Sequence, residues 1–367
     1  MLKTDLSPIQ QLKISCFSRG IAVSPSASKS LTQDGKVPLS LHEYSTTGGV
    51  TVELEGGVYI NAPFDEPLCK NPEASLEYNP DTQGHYVRFR GTDFLARVLP
   101  LPGYLDIRDS EGNLATDVVM THADRARLSL ISGCSMDCEF CSLVGLRYVP
   151  RSARQLLAAL EIAKQDKALR VRHLLLSGGT PTQRDFAHFA ETCETLIKQA
   201  GIPVDIMMVP RRETQFTGQL LDWGIHGFSF NMEVFGEDAA RSITRLKNRY
   251  MGRTVLSENL KFAVEHMGGP GRVRSLIVVG LEPLDTTLEG IEFLAKLGCD
   301  PVISPFRPTA GTGLEAVEAP SMEYLERVYV QAERIAERYG VKLGPRCIPC
   351  QNNTLTFPDG SKDYFYS

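Results

Sequence analysis

Six times after Arg127, a short apolar run bounded by turn residues is set against stretches of helical periodicity. The runs are "RLSLISG", "VRHLLLSGG", "PVDIMMVP", "IHGFSFNMEVF", "RVRSLIVVGLEP" and "DPVISPFRP". Helical stretches include "SARQLLAALEIAKQDK", with Ser152 placed to cap its N-terminus, and "TQRDFAHFAETCETLIKQAG", closed by Gly201. Others are "TVLSENLKFAVEHMG", "TLEGIEFLAKLG" and a last helix from about Met322 to Tyr339. Strands separated by helices pair in parallel through right-handed crossovers. The expectation is an α/β sheet of six strand–helix units, open or closed into a barrel, with its chemistry at the C-terminal ends of the strands.

The text before this region reads differently. "GGVTVELEGGVYINAPF" and "GHYVRFRGTDFLARVLPLPGYLDI" alternate apolar and polar residues between glycines, as strands do. An N-terminal β-rich domain over 1–120 is expected, with little order signalled in its first 40 residues. The α/β unit takes 121–319, and 320–367 form a C-terminal helix and a Cys-containing extension.

Among 367 residues, 42% are hydrophobic and 23% charged, an ordinary globular balance that argues against a disordered chain. The net charge of -5 and the lack of a dense Lys/Arg run give no nucleic-acid footprint. No apolar run approaches the roughly 20 residues of a membrane helix, and the N-terminus has no signal-peptide core, so a cytoplasmic location is expected. The 9 cysteines are odd in number and unevenly clustered, which in a reducing compartment favours metal or redox chemistry over disulfides.

The densest cluster is "CSMDCEFC", directly after the first strand of the series. Cys134, Cys138 and Cys141 are three soft ligands spaced C-x3-C-x2-C. A structural zinc site takes four ligands, and no fourth Cys or His follows nearby. A cuboidal iron–sulfur cluster held by three cysteines leaves one iron open to a small molecule, as metal catalysis requires. A zinc knuckle or a set of buried thiols is the alternative.

With Phe140 before its third cysteine, and at the end of the first of six such strands, this loop resembles the signature of the radical S-adenosylmethionine (radical SAM) enzymes. The likeness covers about 126–319. It implies a partial (β/α)6 TIM-like barrel, a 4Fe–4S cluster on Cys134, Cys138 and Cys141, and S-adenosylmethionine as cofactor, with Phe140 beside it. It also implies roles at the later strand ends. Gly178, Gly179 and Thr180 in "LLLSGGTPT" stand where many members have Gly-Gly-Glu, a stretch that contacts the methionine amino group. Ser229, Asn231 and Glu233 in "FSFNMEVF" fall on one face of an extended segment. In the family, polar residues there contact ribose and the methionine amino or carboxylate group. Gly280 in "LIVVGLEP" matches the glycine that passes the adenine, and Glu282 is a weaker match. "SPFRPTAGTGL" is similar to a segment of the biotin synthase, lipoyl synthase and hydrogenase-maturase branch, with Arg307 either a clamp for a substrate anion or a rim residue in a salt bridge. One of Arg245, Lys247, Arg249 and Arg253 is a candidate for the cofactor carboxylate, the others a solvated face. Tyr148 and Arg147 follow the cluster loop, where they would cover the cofactor. One of Met207 and Met208 should line the lumen.

A second cysteine pair, Cys347 and Cys350, lies in "GPRCIPCQNN". Two thiolates do not complete a zinc or 4Fe–4S site, and Cys16 and Cys69 are candidates to complete a second iron–sulfur cluster. A dithiol or two packed thiols is the alternative. His173, Cys193 and Cys299 read as structural.

The family likeness implies reductive cleavage of S-adenosylmethionine to a 5′-deoxyadenosyl radical, which abstracts hydrogen from substrate. An electron donor such as flavodoxin or ferredoxin is then required. The substrate is expected to be a small molecule, with sulfur insertion or carbon-skeleton chemistry open. The other readings are modification of a peptide or protein recognised by the N-terminal domain, and a zinc-stabilised binding module. No nucleic-acid or membrane partner is expected.

Overall fold

The computed structural model describes residues 6–31, 48–64, 68–108 and 112–360. Two sheets organise the chain. The first has six strands: β1 (Ala22–Val23), β2 (Val50–Leu54), β3 (Val58–Ala62), β4 (Ala74–Asn79), β5 (Gly84–Phe89) and β6 (Thr92–Val98). Their order is β1-β4-β5-β6-β2-β3, antiparallel except for the β1–β4 pair. Arg90 and Gly91, with φ of 48° and 81°, make the tight turn between β5 and β6. The single pattern read over 84–107 therefore holds a hairpin, over 84–98.

The polar N-terminus holds an unexpected helix. α1 (Pro8–Arg19) begins at Ser7 with a capping box to Gln10 and a proline in the first turn. Leu12 to Phe17 are all buried, so burial runs around the helix and takes in Lys13 and Ser15, and apolar periodicity does not mark it. A short α2 (Pro25–Leu31) follows, and 32–47 lie outside the described residues. Lys13 is fully buried and donates to the carbonyls of Gln351 and Thr356, both at 2.8 Å, joining the two ends of the chain.

Burial lowers the Lys13 pKa from 10.5 to about 7. Across that window the unfolded chain binds a proton that the native chain does not, so this group makes stability rise with pH. Measured as a difference from Lys13→Met in urea titrations between pH 7 and 9, wild type should gain stability at a slope approaching about 1.4 kcal/mol per pH unit. Parallel pH dependences in the two proteins would contradict the assignment.

The second sheet has the order β15-β14-β13-β12-β11-β8-β7. Its strands are β7 (Val119–His122), β8 (Arg125–Ser129), β11 (His173–Ser177), β12 (Val204–Met207), β13 (Gly227–Ser229), β14 (Val273–Val279) and β15 (Asp300–Pro305). The last six run parallel in sequence order, and β7 adds antiparallel to β8 at the edge. Between β8 and β11 a small ribbon, β9 (Ile131–Ser132) with β10 (Val149–Pro150), closes the base of the cysteine loop. The crossover helices are α3 (Ala153–Lys164), α4 (Phe186–Gln199), α5 (Gln215–Asp222), the run α6 (Glu237–Ile243), α7 (Arg245–Tyr250) and α8 (Gly252–Met267), then α9 (Leu284–Lys296). α10 (Met322–Tyr339) follows β15. Ser152 caps α3 through the Gln155 amide, and left-handed Gly340 ends α10. α5 falls where no separate helix was legible.

Residues of all six parallel strands, or of the turns directly after them, line one cavity of ≈ 270 Å³: Arg127, Ser177, Met207, Asn231, Leu276 and Ser304. A flat sheet cannot turn six strands toward one space, so this sheet curls into part of a barrel. The chain beyond α10 returns to its base. Gly344 N–H bonds Pro301 O and Leu355 N–H bonds Ile303 O, each at 2.8 Å. Arg346 grips Asp300 with both ends of its guanidinium, at 2.6 and 3.0 Å. No helix among the described residues is long and apolar enough to cross a membrane.

Candidate active site

The cavity mouth is built by the turns that follow the strands. Cys134, Cys138 and Cys141 lie in the loop between β9 and β10, partly exposed, and all three line the cavity together with Met136 and Phe140. The loop is fixed from three sides. Glu139 N–H bonds Ile243 O at 2.9 Å, and Leu314 N–H bonds Glu139 O at 3.2 Å. Asp137 accepts from Leu246 N–H at 2.8 Å and from Arg245 Nε at 3.0 Å. These contacts assign Arg245 to loop anchoring.

Beneath the loop runs the turn after β11. A side chain on Gly179 would lie 1.7 Å from the Gly133 carbonyl oxygen, so only glycine lets the two backbones meet. Gly178 has φ of 109°, which also needs glycine. The contact brings Thr180 N–H to 3.2 Å from Cys134 Sγ, and Met136 N–H lies 3.4 Å from the same sulfur. Tyr148 supports this turn, accepting from Thr182 N–H and donating to Asp185, rather than reaching over the cavity.

From the fourth strand end, Asn231 and Glu233 line the cavity, and Ser229 sits behind, donating to Asn231 Oδ1 at 2.8 Å. Glu233 has φ of 71°, a strained conformation for this residue, held by its amide to Leu276 O and its carbonyl to Val278 N–H. Lys247 is buried, 2.8 Å from Glu233 and donating to Asn231 O at 2.7 Å. The sequence alone placed Lys247 in a basic group with no way to single it out. Its own burial and its contact with Glu233 distinguish it here.

Gly280 does not line the cavity; a side chain there would collide with Pro320. Glu282 accepts from the Phe235 and Gly236 amides at 2.8 and 2.6 Å and so shapes that turn. Arg307 lines the cavity but donates to Gly48 O at 2.7 Å and to Asn61 Oδ1 at 3.4 Å, tying the end of β15 to the first sheet. Met207 and Met208 both line the wall. Arg125 and Arg127, alternate residues of β8, also face the cavity, and only the structure reveals them.

Three thiols are the donor set of a cluster with one open iron, and amide N–H groups aimed at a sulfur are what tunes such a cluster. Burial and the nearby Glu233 charge push the Cys138 thiol above its ordinary range, and burial pushes Cys141 up to about 11. Loading a metal centre must therefore release protons. The residues present fit a 4Fe–4S cluster.

Neither a protein-family model nor a curated protein matches the chain. Solved structures do. Methylornithine synthase (PylB) is 16% identical with a TM-score of 0.48, over 71% of this chain and 84% of that one. A radical SAM methyltransferase from Sphaerobacter thermophilus is 16% identical with a TM-score of 0.46, over 74% and 76%. The FeFe-hydrogenase maturase HydG from Carboxydothermus hydrogenoformans is 16% identical with a TM-score of 0.46, over 62% and 56%. At such identities the likeness assigns no residue a role.

Proposed function

We propose that this chain is a radical S-adenosylmethionine enzyme acting on a small anionic molecule. One observation carries the reading: the three thiols of a C-x3-C-x2-C loop open together onto a cavity that six parallel strands line. Cys134, Cys138 and Cys141 hold the cluster. When bound, the cluster and S-adenosylmethionine supply the chemistry, one-electron cleavage to a 5′-deoxyadenosyl radical that takes hydrogen from substrate.

The chain's own residues bind, orient and exclude water. Gly178 lines the cavity, and the missing side chains of Gly178 and Gly179 let this turn pack on Ile131 and Gly133 and so seat the cysteine loop. Asn231, Glu233 and Lys247 form a fixed polar patch of both charges, suited to an amino acid moiety. Leu143, Leu175, Met207, Val209, Leu276 and Val278 give the cavity an apolar wall that keeps water from a reactive intermediate. Arg125, Arg127 and Arg307 bring three guanidinium groups to the same space, which favours a substrate bearing a carboxylate or phosphate. The electron comes from an external donor such as flavodoxin or ferredoxin.

The test is anaerobic. The reconstituted, dithionite-reduced chain incubated with S-adenosylmethionine should form 5′-deoxyadenosine and methionine. Absence of both products, with a cluster present, would refute the proposal.

A further inference from the structure

At the opposite end of the barrel strands lies a second group of ligand atoms. Asp124 precedes β8, His173 begins β11, and Cys347 and Cys350 come from the C-terminal return. All four are buried, and one donor atom of each lies within 4.8 Å of the others. Cys347 Sγ is 3.4 Å and Cys350 Sγ 3.5 Å from His173 Nε2. Asp124 Oδ1 is 3.5 Å from the same nitrogen and 3.9 Å from Cys347 Sγ.

These four separations, 3.4 to 3.9 Å, lie close to the edges of one coordination tetrahedron. Bonds of about 2.3 Å to sulfur and about 2.0–2.1 Å to nitrogen and oxygen give edges of roughly 3.3–3.8 Å. A four-iron core seats each terminal ligand on its own iron, and a two-iron core divides four ligands two to an iron, so either spreads a set of four further apart. Cys16 and Cys69 are no part of this group. Two thiolates, an imidazole and a carboxylate suit zinc. Arg172 holds the other oxygen of Asp124 at 2.5 Å, the outer contact that orients a metal-binding carboxylate.

We propose that Asp124, His173, Cys347 and Cys350 bind a single zinc ion in a closed, structural site. The ion fastens the C-terminal return to the base of the barrel. Arg346, beside Cys347, and Lys13, bound to Gln351 O, grip the same segment. Arg125 and Asn353, close in sequence to Asp124 and Cys350, line the cavity, so the zinc also holds part of the cavity wall in place.

The experiment uses the full chain carrying Cys134→Ser, Cys138→Ser and Cys141→Ser, which removes the other thiolate site. Zinc content and zinc-edge X-ray absorption are measured. About one zinc per chain is expected, with two sulfur and two nitrogen or oxygen neighbours, and zinc should fall to background when Cys347→Ser/Cys350→Ser is added. Should the serine variants fail to fold, the same absorption spectrum is taken on wild type with its cluster loaded. Iron with sulfide at this site, a shell of three or four sulfurs, or no stoichiometric metal would each overturn the proposal. None of these outcomes depends on S-adenosylmethionine chemistry, so failure here and failure of the enzyme reading remain distinct.

Discussion

Cys138→Ala is expected to release no 5′-deoxyadenosine above the level of a control without enzyme. Cys138 lies between Cys134 and Cys141 in a loop pinned at Asp137 and Glu139 on either side of it. The pinned backbone cannot swing another donor into its place. Two thiolates do not hold a cuboidal cluster, so iron should be lost along with activity. The fold should survive, because the residue is a partly exposed loop position and such changes commonly cost about 1 kcal/mol or less. Product formation, iron content and urea midpoint are measured on one preparation. Full activity in Cys138→Ala would sink the cluster assignment.

Arg274→Met should cost about 3 kcal/mol of stability, the low end of the usual result of removing one partner of a buried ion pair, since His226 stays beside Asp205. Arg274 on β14 reaches past β13 to Asp205 on β12, with 2.5 Å between Nη2 and Oδ2, and both residues are buried. Gly227 makes room, since a side chain there would sit 2.8 Å from Asp205 Oδ1. Burial opposes ionisation of Asp205, but Arg274 and His226 outweigh it and hold the carboxyl well below its usual range. Its contribution is therefore present above the unfolded pKa near 4 and is lost as pH falls through the native value. Adding Asp205→Leu to Arg274→Met should restore much of the loss, because the stranded charge is gone. Equal destabilisation by the single and double variants, in urea titrations, would point to packing as the cause instead.

The strand–helix rhythm and the cysteine loop were legible because each depends on near neighbours in sequence. Apolar runs mark the strands, and ligand spacing marks the loop. What the sequence concealed depends on distant partners. Lys13 reads as a surface lysine until Gln351 and Thr356 surround it. Lys247 reads as one of several exposed cations until it meets Glu233. His173 reads as a strand residue, yet it stands with Asp124 and the two late cysteines. Arg307 reads as a substrate clamp or a rim salt bridge, and its bonds to Gly48 and Asn61 of the first-sheet region come from residues far off in sequence.

The central claim is tested most directly by anaerobic iron and sulfide analysis of the reconstituted wild-type chain. About four irons and four sulfides per chain are expected, with the iron lost in Cys138→Ala and kept in Cys347→Ala/Cys350→Ala. No iron, with zinc bound to Cys134, Cys138 and Cys141 in its place, would contradict the account.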